Sequence, residues 1–527
     1  MPHRSPKRRA PDYLRDERRL FSLPSHGRLK IGVGYPNSYY VAHSSLAYQW
    51  VVELTARTSE TAVFRFFTDP RPGRTLENDL PLGSLDLLAW SCSFELDAVH
   101  VLETLDAAGI PRRRHKRNVR HPLIVVGGAV AAINPLPLAA AVDIFVVGAA
   151  ERLWPALLEC VREIPDRDAL LTELASRDGY FVPGRHLDER GRPLRRIRRL
   201  EKRDREMADE GMVPSSHLVT PNTEYRNRGL VEMSRGCPEK CRYCWVSYNY
   251  GRLRCYSKEA ILHRVRSLTR ITDRIGFVAT AVGDHPDLPE ILSESRRLGL
   301  DVALSSLRIP AMIPSILQPL AESGARSVTI APETGSDRLR RSLGKPIAND
   351  RILAAVEHAQ RCGITDLKMY FIIGLPGETD DDLESIGDLL EAARGVMLDH
   401  ARRRGRMGIL HAGCSVLVPK PYTPFSREAF LPRPEYRRRL ALLERRIRGL
   451  DNVKFDRPSY REALWQTVLS RGGASTYELL DQLADHGHLG RLLTEHRDGA
   501  VAAAAAEAED APVWRFIASA PTVTSSV

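Results

Sequence analysis

The sequence lacks a long apolar run. No stretch of about eighteen uncharged apolar residues occurs in the 527 residues, so no membrane-spanning helix is expected. The basic first residues also lack the apolar segment of a secretory signal. Cysteine is scarce, with 8 in the whole chain, which argues against a disulfide framework and for a reducing compartment. Together these absences predict a cytoplasmic protein with no membrane partner.

The chain has an excess of positive charge, with a formal net charge of +11. Basic runs at 112–120, 195–205 and 402–406 could indicate nucleic-acid binding. However, arginine is plentiful throughout, the runs fall in predicted loops and linkers, and aromatic residues are not interleaved with them. Solvated surface is the favoured interpretation, and nucleic acid is not an expected partner.

The length predicts about three domains, and an apolar fraction of 43% supplies ample core. Five nearly continuous apolar strands alternate with helices across 28–163, which indicates a parallel sheet covered on both faces, a Rossmann-like doubly wound domain. Ligands bind at the carboxyl ends of such strands. The loops at those ends are Tyr35–Ser38, Ser91–Phe94, Gly127–Gly128 and Gly148–Glu151.

A second strand–helix alternation begins at Gly229 and predicts six strands by residue 428. The regions around it differ in composition. The expected organisation is a basic arm at 1–27, a charged linker or subdomain at 164–228, a partial (β/α)6 barrel at 229–428, a C-terminal helical cap at 429–498 and a disordered tail at 499–527.

Three cysteines are the most informative residues of the chain. Cys237, Cys241 and Cys244 follow the first barrel strand with the spacing C-x3-C-x2-C. Three thiolates in one loop can hold three irons of a 4Fe-4S cluster and leave the fourth iron open to a small molecule. The alternative is a zinc knuckle, which needs a fourth ligand at similar spacing. Cys255, the nearest candidate, follows Cys244 by eleven residues, after an aromatic and basic stretch.

At these residues the chain resembles the radical S-adenosylmethionine (radical SAM) superfamily. The resemblance implies that the methionine amino and carboxylate groups of S-adenosylmethionine chelate the open iron. An electron from the cluster, supplied by an external donor of the flavodoxin or ferredoxin type, would then produce a 5′-deoxyadenosyl radical. Tyr243, directly before the last cysteine, would pack beside the cluster.

The resemblance extends to the ends of the later barrel strands. It implies that Gly283 and Asp284 meet the amino group of S-adenosylmethionine, although the usual GGE is absent. Ser305 and Arg308 would meet its ribose and carboxylate. Glu333 would bind the same ligand, and Gly374, in the IGLPG turn, would lie under the adenine. No catalytic side chain is assigned.

Residues 28–163 resemble the cobalamin-binding domain that precedes the barrel in one large radical SAM class. The resemblance implies cofactor contacts from the strand-end loops, at Tyr35, Ser91, Gly127, Gly128, Gly148 and Glu151. The D-x-H-x-x-G motif, whose histidine ligates cobalt in some cobalamin domains, is absent. A domain that only caps the active site remains the alternative.

This class implies methyl transfer to an unactivated carbon of a small-molecule or peptide natural product. A non-methylating rearrangement, cyclisation or hydrogen abstraction would show the same sequence features. A transfer-RNA methylthiotransferase needs three further cysteines before the barrel, where only Cys92 and Cys160 occur. A non-enzymatic iron–sulfur or cobalamin sensor would not need the barrel's strand-end residues. Tyr248, Tyr250 and Tyr370 could contact a substrate, but core packing is the preferred interpretation.

Overall fold

The computed structural model describes residues 12–487, 489–495 and 513–518. Its first half is built on a six-stranded sheet. The strands, in chain order, are β1 Leu29–Gly34, β2 Thr61–Phe66, β3 Leu87–Ser91, β4 Leu123–Gly127, β5 Ile144–Val146 and β6 Tyr180–Phe181. The spatial order is β2-β1-β3-β4-β5-β6, in which the first five strands are parallel and β6 is antiparallel. The expected doubly wound parallel sheet is therefore present.

Both faces of this sheet are buried, which explains the unbroken apolar runs. Ile31 and Val63 face one hydrophobic cluster, while Phe64 and Trp90 face another. The first cluster contains side chains of the helices Leu46–Ala56 and Ala150–Glu163, and the second those of Ala98–Ala107 and Ala129–Ile133.

Residues 135–142, which follow β4 in the alternation of strands and helices, do not form a regular helix. A short helix ends at Ile133, and Leu136–Leu138 form one 3-10 turn. Pro135 and Pro137 flank Leu136 and supply no backbone N–H, which prevents a regular helix here.

The predicted linker ties the two halves together. It contains the helices Arg167–Ser176 and Pro183–His186 and supplies β6. Its short strand Leu218–Val219 pairs with Arg18–Arg19 of the N-terminal arm. The arm also inserts Glu17, which pairs with buried Arg65 of β2 at 2.8 Å.

The barrel consists of a three-stranded and a four-stranded parallel sheet. Its strands are β7 Gly229–Glu232, β8 Arg274–Val278, β9 Asp301–Leu304, β10 Ser327–Glu333, β11 Asp366–Ile373, β12 Leu410–Val416 and β13 Val453–Asp456. The Leu307 amide donates to Thr329 at 3.0 Å and links the two sheets. The intervening helices are Lys258–Leu268, Leu288–Arg297, Pro314–Glu322, Asp337–Ser342, Asn349–Arg361 and Asp380–Arg404.

Six of these strands lie where the sequence predicts them, and β13 is an addition. It falls inside the region expected to be helical, which otherwise contains the helices Arg433–Ile447, Tyr460–Arg471, Thr476–His486 and Leu489–Glu495. The helix Tyr460–Arg471 also contacts the first domain, because Ser470 donates to Glu95, which Lys420 reaches from the end of the barrel.

The predicted disordered tail lies largely outside the described residues. Within it, Val513–Phe516 form a 3-10 turn and Ile517–Ala518 pair with Ile197–Arg198 of the linker, which differs from the disorder expected for them. Among the described residues, no helix is both long and apolar enough to cross a membrane.

Candidate functional site

The cysteine loop follows β7 and is closed by a small antiparallel ladder. Ser234 and Arg235 pair with Cys255 and Arg254 on the returning chain. Gly236, directly before Cys237, has a φ of 83°, and a Cβ there would overlap the carbonyl of Arg252. The Thr280 hydroxyl donates to the Gly236 carbonyl at 2.5 Å and ties the loop to the end of β8. The backbone at this position therefore requires glycine.

The three cysteines are held by backbone contacts of the loop. The Cys237 amide donates to Gly251 at 3.2 Å, and the Cys244 amide donates to Cys241 at 3.0 Å. Burial raises the pKa of Cys241 to about 11 and raises the pKa of Cys237, and the neighbouring Cys244 adds to both effects. The three thiols therefore lie within electrostatic reach of one another, as ligands of one cluster must.

The zinc alternative needs a fourth ligand beside the three cysteines. In the described part of the chain, no three His, Cys, Asp or Glu side chains are gathered closely enough to hold a single metal ion. Cys255, the nearest fourth candidate, lies opposite Ser234 in the ladder.

An ion-pair network connects the cysteine loop with two predicted ligand contacts. Arg308 pairs with Asp284 at the end of β8 and with Glu239 inside the cysteine loop. The second carboxylate oxygen of Asp284 is buried and has no hydrogen-bond partner among the described residues. The structure thus brings Arg308 and Asp284 together, and Glu239 is a partner that the sequence did not reveal.

Glu333 is held in a constrained geometry beside the cysteine loop. Its φ is 70°, a left-handed conformation that a non-glycine residue seldom adopts. The Tyr243 hydroxyl donates to its carboxylate at 2.7 Å, and Lys345 pairs with the same oxygen at 2.7 Å. Burial, followed by the charge of Glu333, raises the pKa of Tyr243. The structure thus brings Tyr243 and Glu333 into direct contact.

Gly374 lies in a tight turn at the end of β11. Its φ is 84°, and its amide donates to the buried carboxylate of Glu378 at 2.8 Å. Arg439 of the C-terminal cap pairs with the same carboxylate oxygen at 2.5 Å. The turn is therefore fixed from the cap, through a glutamate that the sequence analysis did not single out.

The strand-end glycines of the first domain make close backbone contacts. A Cβ at Gly128 would overlap the carbonyl of Cys92, and one at Gly148 would overlap that of Leu200. Both have positive φ. Both positions therefore require glycine because of backbone contacts within the fold.

A cavity of about 550 Å³ lies between the two domains. Its first wall consists mainly of small residues: Ser91, Ser93, Gly128, Ala129, Ala132, Gly148, Ala149 and Ala150. Its second wall comes from the barrel: Leu230, Glu232, Ser234, Arg235, Gly236, Val278, Ala279, Thr280 and Ser305. The cavity thus lies between the sheet of the first domain and the three-stranded sheet of the barrel, at the carboxyl ends of their strands. It reaches Gly236, the residue before Cys237.

The predicted cofactor contacts divide into two groups. Those that line the cavity are Ser91, Gly128, Gly148, Glu151 and Ser305. Those outside its lining are Tyr35, Gly127, Tyr243, Gly283, Asp284, Arg308, Glu333 and Gly374. Tyr35 is buried, and its pKa is raised by burial and by Asp97.

Glu151 is bound by protein groups rather than left open to a ligand. Arg235 donates to it at 2.6 and 3.2 Å and also pairs with Glu232 at 2.9 Å. The Trp50 indole donates to the same carboxylate at 3.1 Å. Glu151 therefore connects the first domain to the cysteine loop, and Arg235 is a functional candidate that sequence reasoning missed.

The linker also reaches the cavity. Arg199 is buried, lines the cavity, and places its guanidinium 5.2 Å from the ring centre of Tyr250 and 5.9 Å from that of Trp245. Trp245 follows Cys244 directly along the chain, and Tyr250 lies six residues beyond Cys244. No motif marks Arg199 in the sequence, because it is one of many arginines in a charged stretch.

Two family models match this chain. Residues 231–390 match the radical SAM superfamily, and residues 65–183 match the N-terminal region of radical SAM proteins. The matched segments contain the cysteine loop and most of the first sheet.

Relatives and solved structures agree with these matches. An uncharacterised protein of Methanocaldococcus jannaschii is 22% identical over 453 residues, which cover 86% of this chain and 90% of that protein. An uncharacterised methyltransferase of Pyrococcus horikoshii is 28% identical over 203 residues, 37% of this chain and 43% of its own length. The radical S-adenosylmethionine methyltransferase TsrM from Kitasatospora setae, solved with cobalamin and a 4Fe-4S cluster, superposes with a TM-score of 0.56 at 14% identity, covering 88% of this chain and 100% of that chain. This last likeness shows a shared fold.

Proposed function

Because this chain belongs to the radical SAM superfamily, we propose that it is a cobalamin-dependent enzyme that methylates an unactivated carbon through a 5′-deoxyadenosyl radical. The substrate would be a small molecule or a peptide. The observation that carries the proposal is the single cavity between the strand ends of both domains. The fold shared with TsrM, a methyltransferase that binds cobalamin, supports it.

The residues present fit the implied cofactors. Cys237, Cys241 and Cys244 would hold the cluster, which with S-adenosylmethionine supplies radical chemistry. Arg308 and Glu333 would orient S-adenosylmethionine from the barrel mouth. The small-residue wall would accept one face of a broad, flat cofactor such as cobalamin, which supplies a methyl-carrying metal centre when bound. Glu151 would act indirectly, by positioning Arg235 and the cysteine loop.

The protein's own residues would also exclude water from the reacting groups. The first domain, the linker and the barrel all contribute residues to the lining of the cavity, so three parts of the chain surround it. Away from the lining, Lys420 pairs with buried Glu95, and Asn134 donates to Leu469 and Gly472, so these bonds hold the first domain against the end of the barrel and the helical cap. Such closure protects a reactive radical from side reactions.

Two alternatives concern the reaction. A non-methylating rearrangement, cyclisation or hydrogen abstraction would use the same cavity. A methylthiotransferase needs a second cluster, whereas Cys92 and Cys160 are both buried and lie in separate elements, at the end of β3 and in the helix Ala150–Glu163. The name of the Pyrococcus horikoshii relative favours methyl transfer.

The experiment tests corrinoid binding after a bulky side chain is placed in the small-residue wall of the cavity. The full chain is reconstituted anaerobically with iron and sulfide, incubated with hydroxocobalamin and passed through gel filtration. We expect the wild type to retain corrinoid together with cluster absorption. Ala129→Trp should lose the corrinoid and keep the cluster, because Ala129 lines the cavity.

Ala107→Trp is the matched control, since Ala107 is exposed at the end of the helix Ala98–Ala107. If the wild-type protein holds a cluster but no corrinoid, the first domain only caps the active site. Equal retention by both tryptophan variants would place the corrinoid outside this cavity.

A further inference from the structure

The inward face of the four-stranded barrel sheet is open. In β11, the outward residues Leu367, Met369 and Phe371 are buried against helices, while inward-facing Lys368 and Tyr370 are exposed. A closed βα barrel instead fills its interior with apolar side chains. Tyr370 is 48% exposed although its strand has a neighbour on each side. The inward face of this half of the barrel is therefore accessible to a ligand.

The backbone of the adjacent strand makes space for the Tyr370 ring. Gly413 of β12 is paired with Tyr370, and a Cβ at Gly413 would come within 2.5 Å of the ring. The ring therefore lies across the β12 backbone at a glycine. One face of the ring rests on the sheet, and a large part of the side chain stays accessible, which suits stacking of a planar ligand group.

Basic side chains occupy one level of the same inward face. Lys368 of β11 is paired with Thr329 of β10 and with His411 of β12, and His411 is paired with Lys454 of β13. Residues paired across parallel strands project to the same face, so the three basic side chains form one row. Asp456, paired with Gly413, is the inward carboxylate of the next level.

This row differs from the cationic side chains at the barrel mouth. Arg308, Lys345 and Arg235 are each neutralised by a glutamate or aspartate. Among the residues that the structure describes, no ion pair or side-chain hydrogen bond is found for Lys368, His411 or Lys454. A basic row facing an open interior, without carboxylate partners, is suited to an anionic ligand.

We propose that Lys368, His411 and Lys454 bind an anionic group of the substrate, a carboxylate or a phosphate, while Tyr370 supports its planar part. The inference deepens the proposed function by naming the substrate class. A polycationic substrate, such as an aminoglycoside, is disfavoured by the same charges.

The position of the row also limits substrate size. Lys368 precedes the end of β11 at Ile373 by five residues, or about 17 Å at 3.3 Å per residue. Glu333 and Gly374 lie at the strand ends, where S-adenosylmethionine is expected. A substrate anchored on the row must span most of this distance, which favours a molecule of nucleotide or short-peptide size over a single amino acid.

The test uses calorimetric titration of the reconstituted full chain with three probes: phenyl phosphate, phenylacetate and the neutral phenethyl alcohol. We expect at least one anionic probe to bind more tightly than the alcohol. Lys368→Ala should weaken that binding about tenfold, the loss expected for one charge-assisted hydrogen bond, and Lys368→Arg should restore most of it. Tyr370→Ala should weaken it as well.

Arg297→Ala, an exposed cation on the helix Leu288–Arg297, is the charge-matched control and should bind like the wild type. Preference for phenyl phosphate would indicate a nucleotide-like substrate, and preference for phenylacetate a peptide-like one. Three results would overturn the proposal. They are an affinity for the alcohol equal to that for the anionic probes, an unchanged affinity for those probes in Lys368→Ala, and a loss of affinity in Arg297→Ala as large as that in Lys368→Ala. The titration is repeated on protein that has not been reconstituted, so that probe binding is measured without the cofactors. The proposed function is tested separately, by corrinoid and cluster absorption, and its failure is therefore distinguishable from failure of this inference.

Discussion

Replacing Glu151 by glutamine tests the connection between the first domain and the cysteine loop. Glu151 is 6% exposed and accepts hydrogen bonds from Trp50 and Arg235, with Lys202 3.7 Å away. Burial alone would raise its pKa, but the charge and hydrogen bonds of Arg235, followed by the charge of Lys202, hold it at about 2, below its ordinary 4.5. The folded state therefore favours the ionised carboxylate.

The size of this effect follows from linkage. A lowering from 4.5 to about 2 corresponds to about 3 kcal/mol of stability. Because the pKa is depressed on folding, the contribution is fully present above pH 4.5 and is lost as the pH falls toward 2. Glu151→Gln should therefore lower the free energy of unfolding by about 3 kcal/mol at pH 7, and the difference from wild type should shrink below pH 4.5.

Urea unfolding followed by circular dichroism measures this difference. The matched control is Asp168→Asn, which breaks the exposed ion pair with Arg185 and should cost less than about 1 kcal/mol. A penalty for Glu151→Gln no larger than that of the control would refute the reasoning, because Glu151 would then not hold a buried charge between the domains.

Further variants address the loop and its contacts. Gly236→Ala should abolish iron and sulfide incorporation, because its Cβ would overlap the carbonyl of Arg252, whereas Gly251→Ala, which also has positive φ but meets no atom within 4 Å, should retain the cluster. Arg308→Ala should speed iron loss to a chelator several-fold, since Glu239 and Asp284 lose their shared partner, and an unchanged rate would contradict that role. Tyr243→Phe should weaken S-adenosylmethionine binding several-fold in equilibrium dialysis by removing the 2.7 Å hydrogen bond that orients Glu333; affinity equal to wild type would show that Lys345 alone orients it.

The parts of the fold that the sequence predicts are those encoded locally. The strands from Leu29 to Val146 are recognisable because each is a continuous apolar run buried on both faces. The cysteine loop is recognisable because its three ligands lie within eight residues. By contrast, β13 consists of four residues, Val453–Asp456, of which two are charged, and only its pairing with β12 makes it a strand.

The parts that the sequence does not predict depend on contacts between distant residues. Arg235 donates to Glu151, which is 84 positions away in the sequence, and Lys420 donates to Glu95, which is 325 positions away. Nothing local distinguishes these charges from the many solvated ones in the chain. Glu151 was accordingly predicted as a cofactor contact from its place in the GAAE loop, and the structure shows it engaged by Arg235, Trp50 and Lys202.

The central claim is that a corrinoid occupies the cavity between the two domains, next to a cluster held by the cysteine loop. Electron paramagnetic resonance of the reconstituted protein tests this directly, by comparing the relaxation of the cob(II)alamin signal with the cluster oxidised and reduced. We predict faster relaxation when the cluster is reduced, and loss of that effect in the Cys237→Ala, Cys241→Ala, Cys244→Ala triple variant. A cob(II)alamin signal that relaxes at the same rate with the cluster oxidised and reduced would contradict the account.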